Sequence, residues 1–399
     1  MKQFLCALLM IAIVTGCKTE NQESNVVINE LPLETYYQNS KLPAAIMGYS
    51  TEEGKMNWYA FGPSVWGGKD TINENNIFRI YSMTKAIASV AALQLVEKGL
   101  IGLDDPLDEL MPEMTSIPIL SKEGELVKAN KSITLRNLLT HTAGFGYDFF
   151  DVQLQNFDTT GWEYEDLPRL FETGEKWHYG RNTDWVGKII EKVSGENLED
   201  YIRENITGPL NMNSTWFNVP DNLKENIVSW GTRDSTGFKE YPRIPIAPVT
   251  EFIAGEGLFG SPKDYLTFLN CIMNNGTYDG GQILKSETVE LMFKNALPNG
   301  LTLTFDLPEE GLPETVGHFP DESDLYSLSW AIENSNDEMV RTQGAVYWAG
   351  VANSYYTLDK DKGIAIVYFT QFLPFNDKVS YDFYRLFEKE VYTGLNTKQ

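Results

Sequence analysis

Residues Tyr81–Leu100 read YSMTKAIASVAALQLVEKGL. From Ala86 to Val96 only Ser89 and Gln94 are polar, which predicts a helix buried on most of its sides. Lys98 in the last turn and Gly99 just beyond it supply the stop signal. Lys85 does not fit this pattern. A cation in the first turn faces the positive end of the helix dipole, and a capping box would place Glu or Gln three residues after Ser82. Ser82 and Lys85, at i and i+3, share one helix face. A serine hydroxyl at a helix N-terminus sits beside backbone N–H groups that can stabilise an oxyanion. Burial and the dipole both disfavour the charged form of a lysine placed there, which suits a proton acceptor for Ser82. The ordinary reading is that serine is a good N-cap and that lysine snorkels to solvent. An S-x-x-K pattern also arises by chance about once or twice in a chain of this length. It occurs once here, at the start of the most apolar helix. On these residues alone the two readings stand level.

The chain has 399 residues, enough for one large domain or two ordinary ones. An apolar content of 42% and an aromatic content of 13% support a sizeable core. The net charge of -24 argues against binding nucleic acid or anionic lipid and gives no help in attracting anionic substrates; it reads as a solvated acidic surface. No repeat of solenoid length and no low-complexity tract stands out. At the N-terminus, MKQFLCALLMIAIVTGCKTE carries Lys2 and then an apolar core from Phe4 to Val14. That core is too short to span a bilayer and long enough for a signal peptide. The usual A-x-A cleavage site is missing. Val14–Cys17, VTGC, resembles a bacterial lipobox, which is cut before a cysteine that then carries lipid; Val14 stands where Leu is usual. The expectation is a lipoprotein signal peptide over 1–16, a lipidated Cys17 on a polar tether over 17–40, and a folded domain over 41–395. Such a protein sits in the cell envelope, periplasmic or on the outer membrane, held to a membrane by its lipid anchor. The plainer alternative is an ordinary signal peptide with an incidental Cys. Cys6 would leave with the signal, so Cys271 remains alone in the apolar stretch YLTFLNCIMNN, as a buried core thiol with no disulfide partner.

Beyond the tether, AAIMGYS and MNWYAFG, joined by TEEGK, predict a β-hairpin. From Ser82 to about residue 250 the chain reads as helix-rich with loops; DWVGKIIEKVSG and NLEDYIRENITGPL have helical spacing. SPKDYLTFLNCIMNNG opens with Ser261-Pro262, an N-cap followed by Pro at N1. After residue 325, YSLSWAIEN, AVYWAGVANSYYTL and GIAIVYFTQF read as strands, and NDKVSYDFYRLFEKEV as a closing helix. Strands at both ends with helices between predict one sheet built from both termini, an α+β arrangement.

Several stretches together carry a family resemblance. Ile77–Leu107 closely resembles the S-x-x-K region of the serine β-lactamase-like hydrolases, which include class C β-lactamases, DD-peptidases and the family VIII carboxylesterases. Ile133–Phe145, ITLRNLLTHTAGF, is similar to the family's L-L-x-H-T-S-G segment, and KWHYGRNTDWVGKIIEKVSG resembles its tyrosine region. GPLNMNST, GEGLFGSPKDYLTF and YWAGVANSYYTLDKDKGIAIVYFTQFLPF resemble further landmarks in the family's order. The resemblance runs from about residue 42 to 390 and implies a β-lactamase/DD-peptidase (transpeptidase-like) fold, an antiparallel sheet flanked by helices with a helical lobe. It implies Ser82 as nucleophile, Lys85 as its activator and Tyr179 as the second member of the proton relay. It also implies an oxyanion hole from the N–H groups of Ser82 and Val351, with Trp348 and Gly350 beside it.

Three departures narrow the reading. Tyr179 is followed by Gly180, Arg181 and Asn182 instead of Y-x-N, which puts Asn182 one place late for a substrate or oxyanion contact. Trp348-Ala349-Gly350 stands in place of Lys-Thr-Gly. Tryptophan offers an apolar wall and one donor where the lysine would meet a substrate carboxylate, so the pattern resembles the carboxylesterase branch. Gly255-Glu256-Gly257 replaces a Gly-Gly-Gly segment, with Glu256 either narrowing the acyl pocket or facing solvent. Other chemistries lack their signatures. GYSTE and GPSVW lack the final Gly of a G-x-S-x-G elbow. The three histidines, His141, His178 and His318, form no H-E-x-x-H, and no cysteine pair or phosphate loop is present, so neither metal nor organic cofactor is expected. His141 reads as structural; His178 reads as lining the cleft or facing solvent. The reading is a serine hydrolase acting through an acyl-enzyme on a small-molecule ester or amide substrate, esterase-like. The alternatives are a β-lactamase or D-amino-acid peptidase, an acyltransferase, and, from another class, a non-catalytic penicillin-binding-type envelope protein.

Overall fold

The computed structural model describes residues 26, 28–243, 246–298, 300–303, 319–321, 323–335 and 340–396. The signal-peptide reading, Cys17 and His318 lie outside these residues.

The expected tether is corrected from residue 30 onward. Glu30–Ser40 is a helix, α1, capped by the Asn29 side chain, which accepts the Leu31 N–H at 3.3 Å. Leu33, Tyr36 and Tyr37 recur at helical spacing. Leu33 is fully buried, Tyr36 stacks on Phe383 with ring centres 4.9 Å apart, and Tyr37 meets Phe61 at 5.1 Å. Three apolar positions dock a segment whose composition is otherwise that of a linker. Leu33→Ala is expected to destabilise the protein by about 2–5 kcal/mol. The check is the urea midpoint, which falls with an unchanged slope; a wild-type midpoint would mean that α1 does not contribute to the fold.

Along the chain the elements that matter are β1 (Ala45–Thr51), β2 (Met56–Phe61), α2 (Thr84–Glu97), α3 (Asn182–Ser194), β3 (Gly231–Asp234), β4 (Gly237–Glu240) and α4 (Pro262–Met273). They continue with β5 (Leu325–Tyr326), β6 (Ala331–Ile332), β7 (Val346–Gly350), β8 (Ser354–Asp359), β9 (Ile364–Phe369), β10 (Phe372–Leu373) and α5 (Lys378–Asn396). A sheet of seven strands runs in the order β5-β6-β7-β8-β9-β1-β2, every pair antiparallel. The N-terminal hairpin thus joins the C-terminal strands, with Ile46 opposite Phe369 and Thr51 opposite Ile364. This is the sheet expected from both termini.

Both faces of the sheet are covered. Successive strand residues point to opposite faces, and in β9 Tyr368 meets Phe383 of α5 while Phe369 meets Tyr265 of α4. The two-sided burial explains why β9 reads IAIVYF with no polar alternation. Ser261 caps α4 by accepting the Asp264 N–H, as its Ser-Pro start predicts. Every residue of α2 from Thr84 to Leu95 is buried, and the helix packs on α3 in the helical lobe. A small sheet, β10-β3-β4, was not foreseen in the helix-rich reading of this region; Thr232, Arg233 and Asp234 of β3 line the cleft described below.

Candidate active site

Helix α2 begins at Thr84, so Ser82 lies two residues before it, in a 3₁₀ turn spanning Tyr81–Met83. Ser82 is therefore not a conventional N-cap: the cap position is Met83, with no side-chain bond. Tyr81 holds φ at 45°, the left-handed region that non-glycine residues seldom adopt, and such strain is retained where the surroundings enforce it. Strand β7 is one enforcing element. A Cβ on Gly350 would stand 2.5 Å from the Ile80 carbonyl, so only glycine lets the strand end pass this close to the turn. Val351, the next residue, lines the same cleft as Ser82.

Lys85 is 2% exposed, and its Nζ reaches three oxygens: Ser82 Oγ at 3.2 Å, Tyr147 Oη at 3.1 Å and the Gly255 carbonyl at 2.7 Å. Nζ donates to all three oxygens; to take the Ser82 proton it must instead present a lone pair to that hydroxyl. Its Nζ also lies 4.9 Å from the centre of the Tyr179 ring. Tyr179 is almost buried, packed between Trp348 at 5.2 Å and His141 at 4.8 Å, with Tyr147 at 5.7 Å. Ser82, Lys85, Tyr179, Trp348 and Val351 thus come together at one site, with Gly350 supporting it from behind.

Tyr147 was missed in the sequence. It sits two residues past the Ile133–Phe145 landmark, and nothing in GYDFF marks it as different from its aromatic neighbours. Burial, reinforced by the negative charge that nearby Tyr179 and Asp184 would carry, pushes its phenol well above the usual range, so it keeps its proton near neutral pH. Asp151 steadies this loop: it accepts the Tyr147 N–H at 2.8 Å through Oδ2 and pairs with His178 Nε2 at 2.7 Å through Oδ1. His178 is thereby engaged beside the cleft and does not line it.

Asn182 is a correction. It is fully buried at the start of α3, and its amide donates to His141 Nδ1 at 3.1 Å and to the Phe145 carbonyl at 3.2 Å. It fastens the helix to the loop behind Tyr179 and does not line the cleft. His141 is buried as well. Burial, then the charge of Lys85, holds its imidazole well below the ordinary range, so it stays neutral. Glu256 lines the cleft and pairs with Arg79 at 3.5 Å; both side chains are about 40% exposed, so the pair adds little to stability.

The cleft encloses about 610 Å³ between Ser82, Trp348 and an aromatic rim that includes Phe149, Phe319 and Phe375. A second apolar chamber of about 470 Å³ adjoins it behind Tyr81, Trp230 and Tyr241, which line both spaces. Among the described residues no cluster of His, Cys, Asp and Glu is placed to hold a metal.

A serine on a strained turn, a buried lysine at 3.2 Å and a glycine-tipped strand beside them occur here in the order and spacing of one family, and residues 49–390 match it: beta-lactamase. The chain belongs to the beta-lactamase family. Among its relatives, monacolin J acid methylbutanoyltransferase of Aspergillus terreus is 28% identical over 398 residues, covering 92% of this chain and 95% of that one. Lovastatin esterase of Penicillium rubens is 29% identical over 252 residues, 58% of this chain and 62% of that one. A variant of simvastatin synthase from Aspergillus terreus superposes with a TM-score of 0.78 at 26% identity, over 92% of this chain and 99% of that one. EstCE1, described as a hydrolase with promiscuous acyltransferase activity, shares the fold at a TM-score of 0.70 and 18% identity, over 92% and 99% of the two chains. Both the expected family and the transpeptidase-like fold are therefore shown. The beta-lactamase-family relatives named here are acyltransferases and esterases, and those with a stated source are fungal, whereas the lipobox reading is a bacterial one.

Proposed function

We propose that this protein is a serine acyl-transferring enzyme that acts on neutral esters and passes the acyl group to water. The observation that carries this reading is Lys85 Nζ at 3.2 Å from Ser82 Oγ, on the floor of an aromatic cleft. Ser82 Oγ attacks the ester carbonyl while its proton moves toward Lys85, with Tyr179 beside the amine to complete the relay. The carbonyl oxygen becomes an oxyanion, for which the N–H groups of Ser82 and Val351 are the proposed donors. The proton then passes to the leaving alkoxide, and an acyl-enzyme remains. Water hydrolyses it by the same steps in reverse.

The choice of neutral esters rests on the charges around the cleft. Trp348 is apolar where a lysine would pair with a substrate carboxylate. Arg233 lines the cleft, but its guanidinium is already paired with the buried carboxylate of Asp377 at 2.6 Å. A second reading is transfer of the acyl group to an alcohol, favoured by the likeness to a methylbutanoyltransferase over nearly the whole chain. The adjoining apolar chamber suits a bulky acceptor in that case.

The test compares p-nitrophenyl butyrate with the β-lactam nitrocefin, each with and without an added alcohol. Ester turnover is expected to exceed nitrocefin turnover by about 100-fold or more in kcat/KM, because the β-lactam carboxylate finds no partner. A new ester formed in the presence of alcohol would select transfer over hydrolysis. Nitrocefin hydrolysis without ester turnover would overturn the proposal and put a β-lactamase in its place.

A further inference from the structure

Asp184 stands in the first turn of α3, five residues after Tyr179, and the family resemblance assigned it no role. Its Oδ1 accepts the Gly255 N–H at 2.9 Å, and the carbonyl of the same Gly255 accepts Lys85 Nζ at 2.7 Å. Both groups crowd the Gly255 Cα: a Cβ there would run into the Asp184 carboxylate and come within 3.3 Å of Lys85 Nζ. Glycine at this position is thus what allows a carboxylate to approach the lysine.

We infer that Asp184 is a positioning residue for acylation: it holds the Gly255 carbonyl on Lys85 and balances the positive charge that Lys85 acquires as Ser82 loses its proton. The inference rests on Ser82 and Lys85 being the acylating pair. In the step concerned, the Ser82 O–H bond breaks, the Oγ–C bond to the substrate forms, and the proton ends on Nζ. A fixed negative charge beside the new ammonium lowers the energy of that state. The bond to the Gly255 N–H is charge-assisted as long as Asp184 is ionised, and weaker once it is neutral.

The surroundings make this charge dependent on pH within a measurable range. With Lys85 charged, burial raises the Asp184 carboxyl to about 6 against the pull of Lys85, with Glu256 adding to the rise and the Gly255 N–H and Arg181 lowering it; a neutral Lys85 leaves it higher still. The other groups facing this corner are the phenols of Tyr147 and Tyr164 and the carboxylate of Asp148. Arg181 is itself occupied, donating to the Gly146 carbonyl at 2.9 Å and to that of Leu167. Above pH 6 the carboxylate is charged and supports acylation; below it the group is neutral and the support is lost.

The experiment is the rate of adduct formation with a fluorophosphonate probe, followed by intact mass from pH 5 to pH 9. Wild type, Asp184→Asn, Asp184→Ala and Ser82→Ala are compared. Asparagine keeps an oxygen for the Gly255 N–H and has no charge. Asp184→Asn is expected to react about tenfold more slowly than wild type at pH 8, and within about twofold of it at pH 5, where the wild-type carboxyl is also neutral. Asp184→Ala lacks the acceptor as well and is slower still. A role confined to folding would leave the ratio of Asn variant to wild type constant across this range, and that result would overturn the inference. So would an Asn variant as fast as wild type at pH 8. An adduct on Ser82→Ala would instead sink the assignment of the nucleophile, and this inference with it.

Discussion

Ser82→Ala is expected to abolish the fluorophosphonate adduct and to lower p-nitrophenyl butyrate turnover by about 1,000-fold or more, roughly 4 kcal/mol of barrier. Among the described residues, the other hydroxyl that meets Lys85 does not take over. Tyr147 Oη lies at a similar distance from Lys85 but is a buried phenol pushed well above its usual range, hence a poor nucleophile at neutral pH. The fold does not depend on the Ser82 hydroxyl, because the cap of α2 falls on Met83 and no side-chain bond closes it. Stability should therefore change by less than about 0.5 kcal/mol, as at positions without a packing or capping role. Intact-protein mass after incubation with the ester and with the probe, wild type beside mutant, separates the outcomes. An adduct on the mutant would place the nucleophile elsewhere. A folded wild type with neither adduct nor turnover would remove the enzyme reading and bring the non-catalytic envelope protein forward.

The parts of the molecule legible in the sequence are those set by local rules. The β9 run, the Ser261-Pro262 start of α4 and the apolar face of α2 each follow from spacing or capping within a few residues. The sheet joining both termini was legible because strands cluster at the two ends. The docking of α1 was not, since its three apolar side chains have meaning only against Phe383 and Phe61, far along the chain. The β3-β4 hairpin was hidden for a similar reason: its strands, GTRD and GFKE, are short and polar, and are held by pairing with β10.

The site shows the same division. Ser82 and Lys85 are three residues apart on one turn, so their meeting is a local fact. Tyr179, Trp348 and Val351 came from resemblance, and the structure places them around that pair. Tyr147 meets Lys85 across 62 residues of chain, and the meeting depends on the path of a loop. Asn182 missed the cleft because the non-helical link Gly180-Arg181 sets it at the first position of α3. One added residue between it and Tyr179 is enough to aim it at His141, away from the cleft. Asp184, two residues further along, is carried round to Gly255, and its part in the site is visible only once the helix is placed against that loop.

Lys85→Met is expected to lower the rate of Ser82 acylation by about 100- to 10,000-fold while leaving the protein folded. Methionine matches the buried stem of lysine in length and apolar character and has no donor. The Gly255 carbonyl and the Tyr147 hydroxyl lose their shared partner, and a buried acceptor left unmade costs about 1–3 kcal/mol. Removing an ionisable group from a buried site offsets part of this cost. The net change in stability is therefore small beside the loss in rate, and chemical denaturation measures it separately. Lys85→Arg then distinguishes the two possible roles of the side chain. Arginine supplies a positive charge and more donors than lysine, yet does not give up its proton in a protein. If Lys85 accepts the Ser82 proton, the arginine variant stays as slow as the methionine one. An arginine variant that acylates at the wild-type rate would mean that the site needs only a fixed positive charge. The proton would then pass from Ser82 to Tyr179, whose ring lies against the same amine.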